Sequence, residues 1–221
     1  MLTHIHDNTD YLAVNRNRKR LVAAKSWFIA HHELNHVRFT RVESFHDYQQ
    51  VMDLRVNIYQ KNVPYMLTQI SGSGSDEFDH RSYIYAAFYD DTLIASTRLT
   101  PFPFETSQYI DENNLSLFLG HHWKNHYLEW SRLLVDTSVK IAGITNALTI
   151  YAGLDILLTT HYTHYLGYTR PHVRRVFSKF QLENESLSFT IPNRGEHEYL
   201  LLKGNLMEDF EHFIKRFNVQ I

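Results

Sequence analysis

The sequence predicts an α+β domain, and three observations carry that expectation. Two strand-like runs, Ser82–Tyr89 (SYIYAAFY) and Thr92–Leu99 (TLIASTRL), meet at Asp90-Asp91, a hairpin-type turn. A strand–helix–strand succession lies behind them: residues 127–135, then 141–158, then 164–168. Amphipathic helical periods fill the intervals. A hairpin is antiparallel, and a strand–helix–strand crossover is parallel and right-handed. The sheet should therefore be mixed and mostly antiparallel, flanked by helices.

Composition bounds what such a domain can do. The 221 residues suffice for one large domain, or a domain with an extension. Hydrophobic content of 43% and charged content of 21% allow an ordinary core. A net charge of −2 argues against a global nucleic-acid footprint. The absence of cysteine excludes disulfides, thiolate catalysis and cysteine metal sites. The start, MLTHIHDNTDY, has no apolar h-region. The long apolar run Ile141–Leu158 contains Asn146, Thr149 and Asp155, and reads as a buried helix rather than a membrane span. A soluble cytoplasmic protein is the resulting expectation. The 15 histidines form no H-E-x-x-H pattern, so no metal is expected.

In chain order, residues 1–36 read as a basic and helical extension, with Arg16–Arg20 basic and Leu21–His32 helical. Two readings of it are open: an arm for an acidic partner, or a helix packed on the domain by Trp27 and Phe28. The main domain then spans 37–221. Residues 37–43 alternate as a strand. Ser44 can cap a helix over 45–61, whose apolar stripe of Val51, Leu54, Ile58 and Tyr59 has Arg55 beside it. Ser71–Ser75 reads as a flexible loop, closed by Asp76 to Asp79. Residues 104–125 read as irregular, with one helical turn at Leu115–Leu119. Pro171 opens a helix over the residues that follow. Leu187–Ile191 and Tyr199–Leu202 are strands split by Pro192–Gly195. Leu206–Phe217 is an amphipathic helix.

The chemistry concentrates in Tyr127–Asn146 (YLEWSRLLVDTSVKIAGITN). A strand carrying Glu129, Ser131 and Arg132 needs partners for its charges once they leave water. Arg55, Asp76, Asp79 and Arg98 can supply them, giving three positive and three negative groups with Glu129 and Arg132. Strict alternation puts Glu129 and Ser131 on one face and Arg132 on the other, so a bulge, or a network wrapping the sheet edge, is needed to join them. After the strand, the turn into the apolar helix aims backbone N–H groups at an anion. Those of Val139 to Gly143 are the expected phosphate cradle.

Four motifs in order resemble the acyl-homoserine-lactone synthases and the long-chain N-acyl amino acid synthases of the GNAT acyltransferase fold. Arg55 in LRVNIYQ is similar to R-x-x-V-[FY]. Asp76 and Asp79 in DEFD resemble D-x-x-D. Arg98 in STRLTP resembles A-R-L-x-P, and Glu129, Ser131 and Arg132 in EWSRL resemble E-x-S-R-F. The likeness covers about residues 50–180. Four features depart from it. KNVPYML stands where the family carries a tryptophan after the first helix. Gly74 stands where lactone synthases carry a glutamate, the phosphate signature appears only as Lys140-x-x-Gly143-x-Thr145, and Phe177 occupies the usual general-acid tyrosine position.

The resemblance implies an N-acyltransferase moving a medium or long acyl chain from acyl carrier protein, or CoA, to an amine. It assigns the chemistry to Glu129, Arg98 and Arg132, and the acceptor to Arg55, Asp76, Asp79 and Ser131. It assigns the acyl-phosphopantetheine donor to Leu133, Leu134, Val135, Lys140, Gly143, Ile144 and Thr145. Glu129 can act as general base or as a structural carboxylate paired with an arginine. Arg170, Arg174 and Arg175, with the basic arm, are the candidate dock for an acidic carrier protein. A lactone synthase using S-adenosylmethionine, and a non-catalytic carrier-binding protein, are the alternatives.

Overall fold

The computed structural model describes residues 5–32, 34–172, 186–192, 194 and 197–219, with residues 5–17 described by backbone alone. The helix expected after Pro171, with Phe177, Arg174 and Arg175, lies outside the described residues.

A seven-stranded sheet in the order β1-β2-β3-β4-β5-β7-β6 organises the chain. Its front half is β1 (Val37–Arg41), β2 (Tyr83–Tyr89), β3 (Thr92–Pro101) and β4 (Tyr127–Val135), all antiparallel. The crossover helix α5 (Ile144–Thr159) leads to β5 (His164–Thr169), parallel to β4. Antiparallel β7 (Glu198–Asn205) and β6 (Leu187–Thr190) complete the sheet.

Alternation along β2 sorts the two faces. Tyr85 and Ala87 join a core with Leu21, Ala24 and Phe28 of α1 (Ile5–His31), Leu148 and Ala152 of α5, and Phe210 and Phe213 of α6 (Leu206–Phe217). Ile84, Ala86 and Phe88 pack on the other face against Val51, Met52 and Leu54 of α2 (Phe45–Asn62). Local caps set the helix starts. Ser44 accepts from Asp47 N, and Asn205 accepts from Met207 N and Glu208 N.

α1 is tied to α5 by charge as well as by burial. Lys25 Nζ lies 2.5 Å from Asp155 Oδ1, and the Tyr85 hydroxyl donates to Asp155 Oδ2 at 2.8 Å. α5, the apolar run of the sequence, is buried by α1, α6 and the sheet. Among the described residues no helix is long and apolar enough to cross a membrane.

Residues 104–125 depart from the expectation of an irregular segment. They form a 3₁₀ turn at Glu105–Gln108 and the helices α3 (Glu112–Leu119) and α4 (Trp123–His126). The cause is local: Asp111 caps α3 by accepting from Asn113 N and Asn114 N. Phe104, Leu115 and Trp123 then form an apolar cluster against Leu166 and Leu201.

Candidate active site

The site is built where β4 loses its partner. The β4–β5 ladder runs only from Tyr127↔His164 to Glu129↔Leu166. Beyond Glu129 no further β4–β5 pair forms among the described residues. On the other side, β3 and β4 slip by one residue: Ser96 pairs with Leu134, but Arg98 pairs with Ser131. The extra residue is accommodated at Arg132, whose φ is +51°. Of the two ways to join the charges, this is the bulge, and it turns Arg132 toward the same cluster as Arg98.

That cluster is a buried lattice of carboxylates and guanidinium groups. Arg55 grips Asp79 bidentately at 2.7 and 3.0 Å, and also donates to Gly74 O at 3.0 Å. Arg98, fully buried, donates to Asp76 at 2.5 Å, Asp79 at 3.0 Å, Glu105 at 2.8 Å and the Ser131 hydroxyl at 3.1 Å. Arg132 donates to Asp76 at 2.8 Å and lies 3.2 Å from Glu105. Every guanidinium therefore meets carboxylate oxygens in good geometry, the condition under which buried charge is tolerated.

Two members were not among the sequence candidates. Glu105 faces Arg98, Arg132 and, at 3.3 Å, Arg194. Arg194 in turn donates to the Tyr168 hydroxyl at 2.9 Å and to Gln69. Glu105 was hidden because the set recognised in the sequence already balanced in charge, so no missing acid was signalled. Arg194 was hidden inside a turn-forming run.

Glu129 has a different place from the expected one. Among the described residues no arginine makes a direct ion pair with it. Its oxygens accept from Glu105 N at 2.5 Å and Thr106 N at 3.1 Å, and the side chain is wholly buried. It is a staple that holds the 3₁₀ turn carrying Glu105. Burial first, and the negative charge of Glu105 second, push its carboxyl up to about 7. Asp76 moves the opposite way. Burial would raise it, but Arg98 and Arg132, with Arg55 behind them, more than reverse that and hold it at about 2.

Gly74 fixes the loop that supplies Asp76 and Asp79. Its φ is +87°, and a Cβ there would lie 2.5 Å from Met52 O of α2. The serine-rich segment is cross-bonded too, with Ser71 N donating to Ser75 O at 2.7 Å.

Two cavities open on this lattice. One, about 310 Å³, lies between β4 and β5. Its walls are largely apolar and aromatic and include Tyr59, Met66, Trp130, Leu133, Leu134 and Tyr168. The other, about 580 Å³, is polar, with Gln69, Ser71, Asp76, Glu77, Glu105 and Tyr109 on its walls. Arg132 lines both. Glu129, Arg98, Arg55 and Asp79 line neither, and Asp79 is engaged by Arg55 and Arg98. Ser131, Leu133 and Leu134 line the apolar cavity, but Val135 does not.

The helix start also differs from the sequence expectation. α5 begins at Ile144 with Gly143 as its N-cap, at φ +83°. Val139 N and Ile141 N are engaged within the preceding turn, by Asp136 O and Val139 O. The exposed Lys140 lies in that turn, outside the helix. The first-turn N–H groups are therefore those of Ile144, which donates to Ile141 O at 3.5 Å, Thr145 and Asn146.

No protein-family model and no curated protein matches the sequence. Solved structures do. The CoA-dependent acyl-homoserine lactone synthase BjaI superposes with a TM-score of 0.63 at 15% identity, over 84% of this chain and 90% of its own. FeeM, an N-acyl amino acid synthase from uncultured soil microbes, gives 0.56 at 9% identity over 79% and 93%. A GNAT-family chain from Desulfovibrio desulfuricans gives 0.50 at 14% over 77% and 99%. The fold is the GNAT fold. The parting of β4 from β5, and the crossover helix after β4, are the elements of this GNAT sheet that frame the apolar cavity.

Proposed function

We propose that the chain is an N-acyltransferase that moves an acyl group from a phosphopantetheine thioester to a small amine. One observation carries the reading: Arg132 stands on the wall common to an apolar cavity and a polar one. An acyl thioester in the first and an amine in the second would meet at that side chain. BjaI and FeeM, to which the chain is similar in fold, are named for acyl transfer of this kind.

The stretch of β4 beyond Glu129, which forms no pair with β5 among the described residues, can hydrogen-bond a pantetheine arm as an added strand would. The first turn of α5, released by Gly143, can hold the donor's phosphate. The amine nitrogen attacks the thioester carbonyl carbon. The tetrahedral intermediate then collapses, the C–S bond breaks, and the amine proton passes to the departing thiolate. Arg132 offers positive charge beside the oxygen that becomes negative. Arg55, Arg98, Asp79 and Glu129 act by holding Asp76, Glu105 and Arg132 in place. Acyl carrier protein or CoA serves as donor, and an amino acid or related amine as acceptor. S-adenosylmethionine as acceptor is the second reading, favoured by the fold of BjaI.

The test is free-thiol release by purified protein from acyl-CoA and acyl-carrier thioesters, offered a panel of amino acids, amines and S-adenosylmethionine. Amine-dependent release is expected; Arg98→Ala should abolish it and Glu129→Gln should lower it. No release with any pair would overturn the proposal. Full activity in both variants would overturn the site.

A further inference from the structure

One side chain stands on the walls of two apolar spaces. Trp130 lines the cavity between β4 and β5, and it also lines a second apolar groove, of about 110 Å³, between α5 and α6. Thr149 is shared in the same way. On the far side the groove is walled by Leu154, Leu157, Phe210 and Phe213. The indole is therefore a partition between two apolar spaces that would otherwise join.

The partition is held rigidly. Trp130 Nε1 donates to Thr97 Oγ1 at 2.8 Å, and its ring meets Tyr165 edge to face at 5.5 Å. Behind it lies Gly153 of α5. A Cβ built there would sit 4.0 Å from the indole and 3.5 Å from Leu206. The smallest residue of the helix thus faces the largest of the strand, and the indole fills the space that a side chain at 153 would take.

We propose that Trp130 is the residue that sets the acyl-chain length this protein accepts, by standing between the acyl cavity and the α5–α6 groove. This rests on the reading of the β4–β5 cavity as the acyl site. A chain that outgrows the cavity toward α5 meets the indole, and the groove behind it is an apolar continuation. Each methylene gained or lost in an apolar pocket changes discrimination about tenfold or more.

The experiment measures kcat/KM for a series of saturated acyl thioesters, from four to sixteen carbons, with wild type, Trp130→Phe, Trp130→Ala and Trp130→Ala/Gly153→Leu. Trp130→Phe keeps a smaller ring in place and should shift the preferred length less than Trp130→Ala does. Trp130→Ala should move the preferred length up by two carbons or more and raise the long-to-short ratio at least tenfold. Leucine at 153 in the alanine background fills the vacated space from the other wall, and should return the preference to shorter chains. A folded Trp130→Ala with the wild-type profile would overturn the proposal, as would a double variant that keeps the long-chain preference. Should wild type turn over none of the thioesters, the transferase reading fails. Chain length is then read from binding of the same acyl-CoA series by calorimetry. An unshifted length dependence of affinity in Trp130→Ala overturns the partition on its own. If Trp130→Ala does not fold, Trp130→Leu is read by the same criteria.

Discussion

Replacing Glu105 by glutamine tests the lattice most directly. The change keeps the shape and removes one charge. In the wild type that charge faces Arg98 at 2.8 Å, Arg132 at 3.2 Å and Arg194 at 3.3 Å, all on side chains with at most 5% exposure. Without it, three buried guanidinium groups share fewer acids. Breaking one partner of a buried ion pair costs about 3–5 kcal/mol, and the retained amide oxygen argues for the lower end, about 3 kcal/mol. In a domain of this size that corresponds to a melting point lower by roughly 6–12 °C.

The pH dependence sharpens the test. Glu129 has a folded value of about 7 against an ordinary 4.5. An acid whose value is raised by folding binds its proton more tightly in the native state. Its contribution is therefore fully present below about 4.5 and is lost as pH rises through 7, on the order of 3 kcal/mol in all. The charge on Glu105 is the second cause of that rise, so Glu105→Gln should flatten the decline. Urea unfolding followed by circular dichroism between pH 5 and 8 should give a gap between wild type and variant that is largest at pH 5 and narrows upward. A loss below 1 kcal/mol at every pH, or a gap that widens with pH, would refute the arrangement described.

Three more outcomes follow from the same geometry. Asp155→Ala leaves Lys25 and the Tyr85 hydroxyl without their carboxylate, and should cost about 3 kcal/mol; Tyr85→Phe should cost only about 1 kcal/mol in the same unfolding assay. Gly74→Ala forces a Cβ to 2.5 Å from Met52 O at a φ of +87°, so it should lower stability by about 2 kcal/mol or more and abolish thiol release, because the loop carrying Asp76 must shift; wild-type behaviour would mean that the loop does not need glycine there. Asp76, held at about 2 against an ordinary 3.8, adds stability that is complete above about 3.8 and is lost as pH falls toward 2, about 2 kcal/mol in all; an acid titration of Asp76→Asn should lack that component.

Much of this was legible in the chain because periodicity and charge each carry local information. The hairpin at Asp90-Asp91, the capped α2 and the amphipathic α6 follow from rules that act within a few residues. The bulge at Arg132 was legible for a different reason: three charged or hydroxyl groups on one strand could be satisfied together only if alternation failed or the network wrapped the sheet edge. What escaped was non-local. Nothing near Glu105 in sequence marks it as the partner of Arg132 and Arg194, since the contacts span 27 and 89 positions. The start of α5 slipped to Ile144 because the left-handed Gly143 caps the helix, whereas a glycine alone is equally compatible with a first turn.

Glu129 shows how a residue singled out in the sequence can be placed to act by another route. The motif singles it out, and a carboxylate in the middle of a charged strand reads as a base. In the folded chain it lines neither cavity, and its oxygens are taken by the backbone of Glu105 and Thr106. That backbone fixes where the Glu105 side chain points, and Glu105 fixes three guanidinium groups, one of which lines both cavities. The consequence of altering Glu129 is therefore transmitted through the 3₁₀ turn. Glutamine can accept only one of the two N–H bonds, because its amide nitrogen would face the other donor. A positioning residue and a base are then separable by pH: losing a base removes an ionisation from the kcat/KM profile, whereas losing the staple lowers the profile and leaves its shape unchanged.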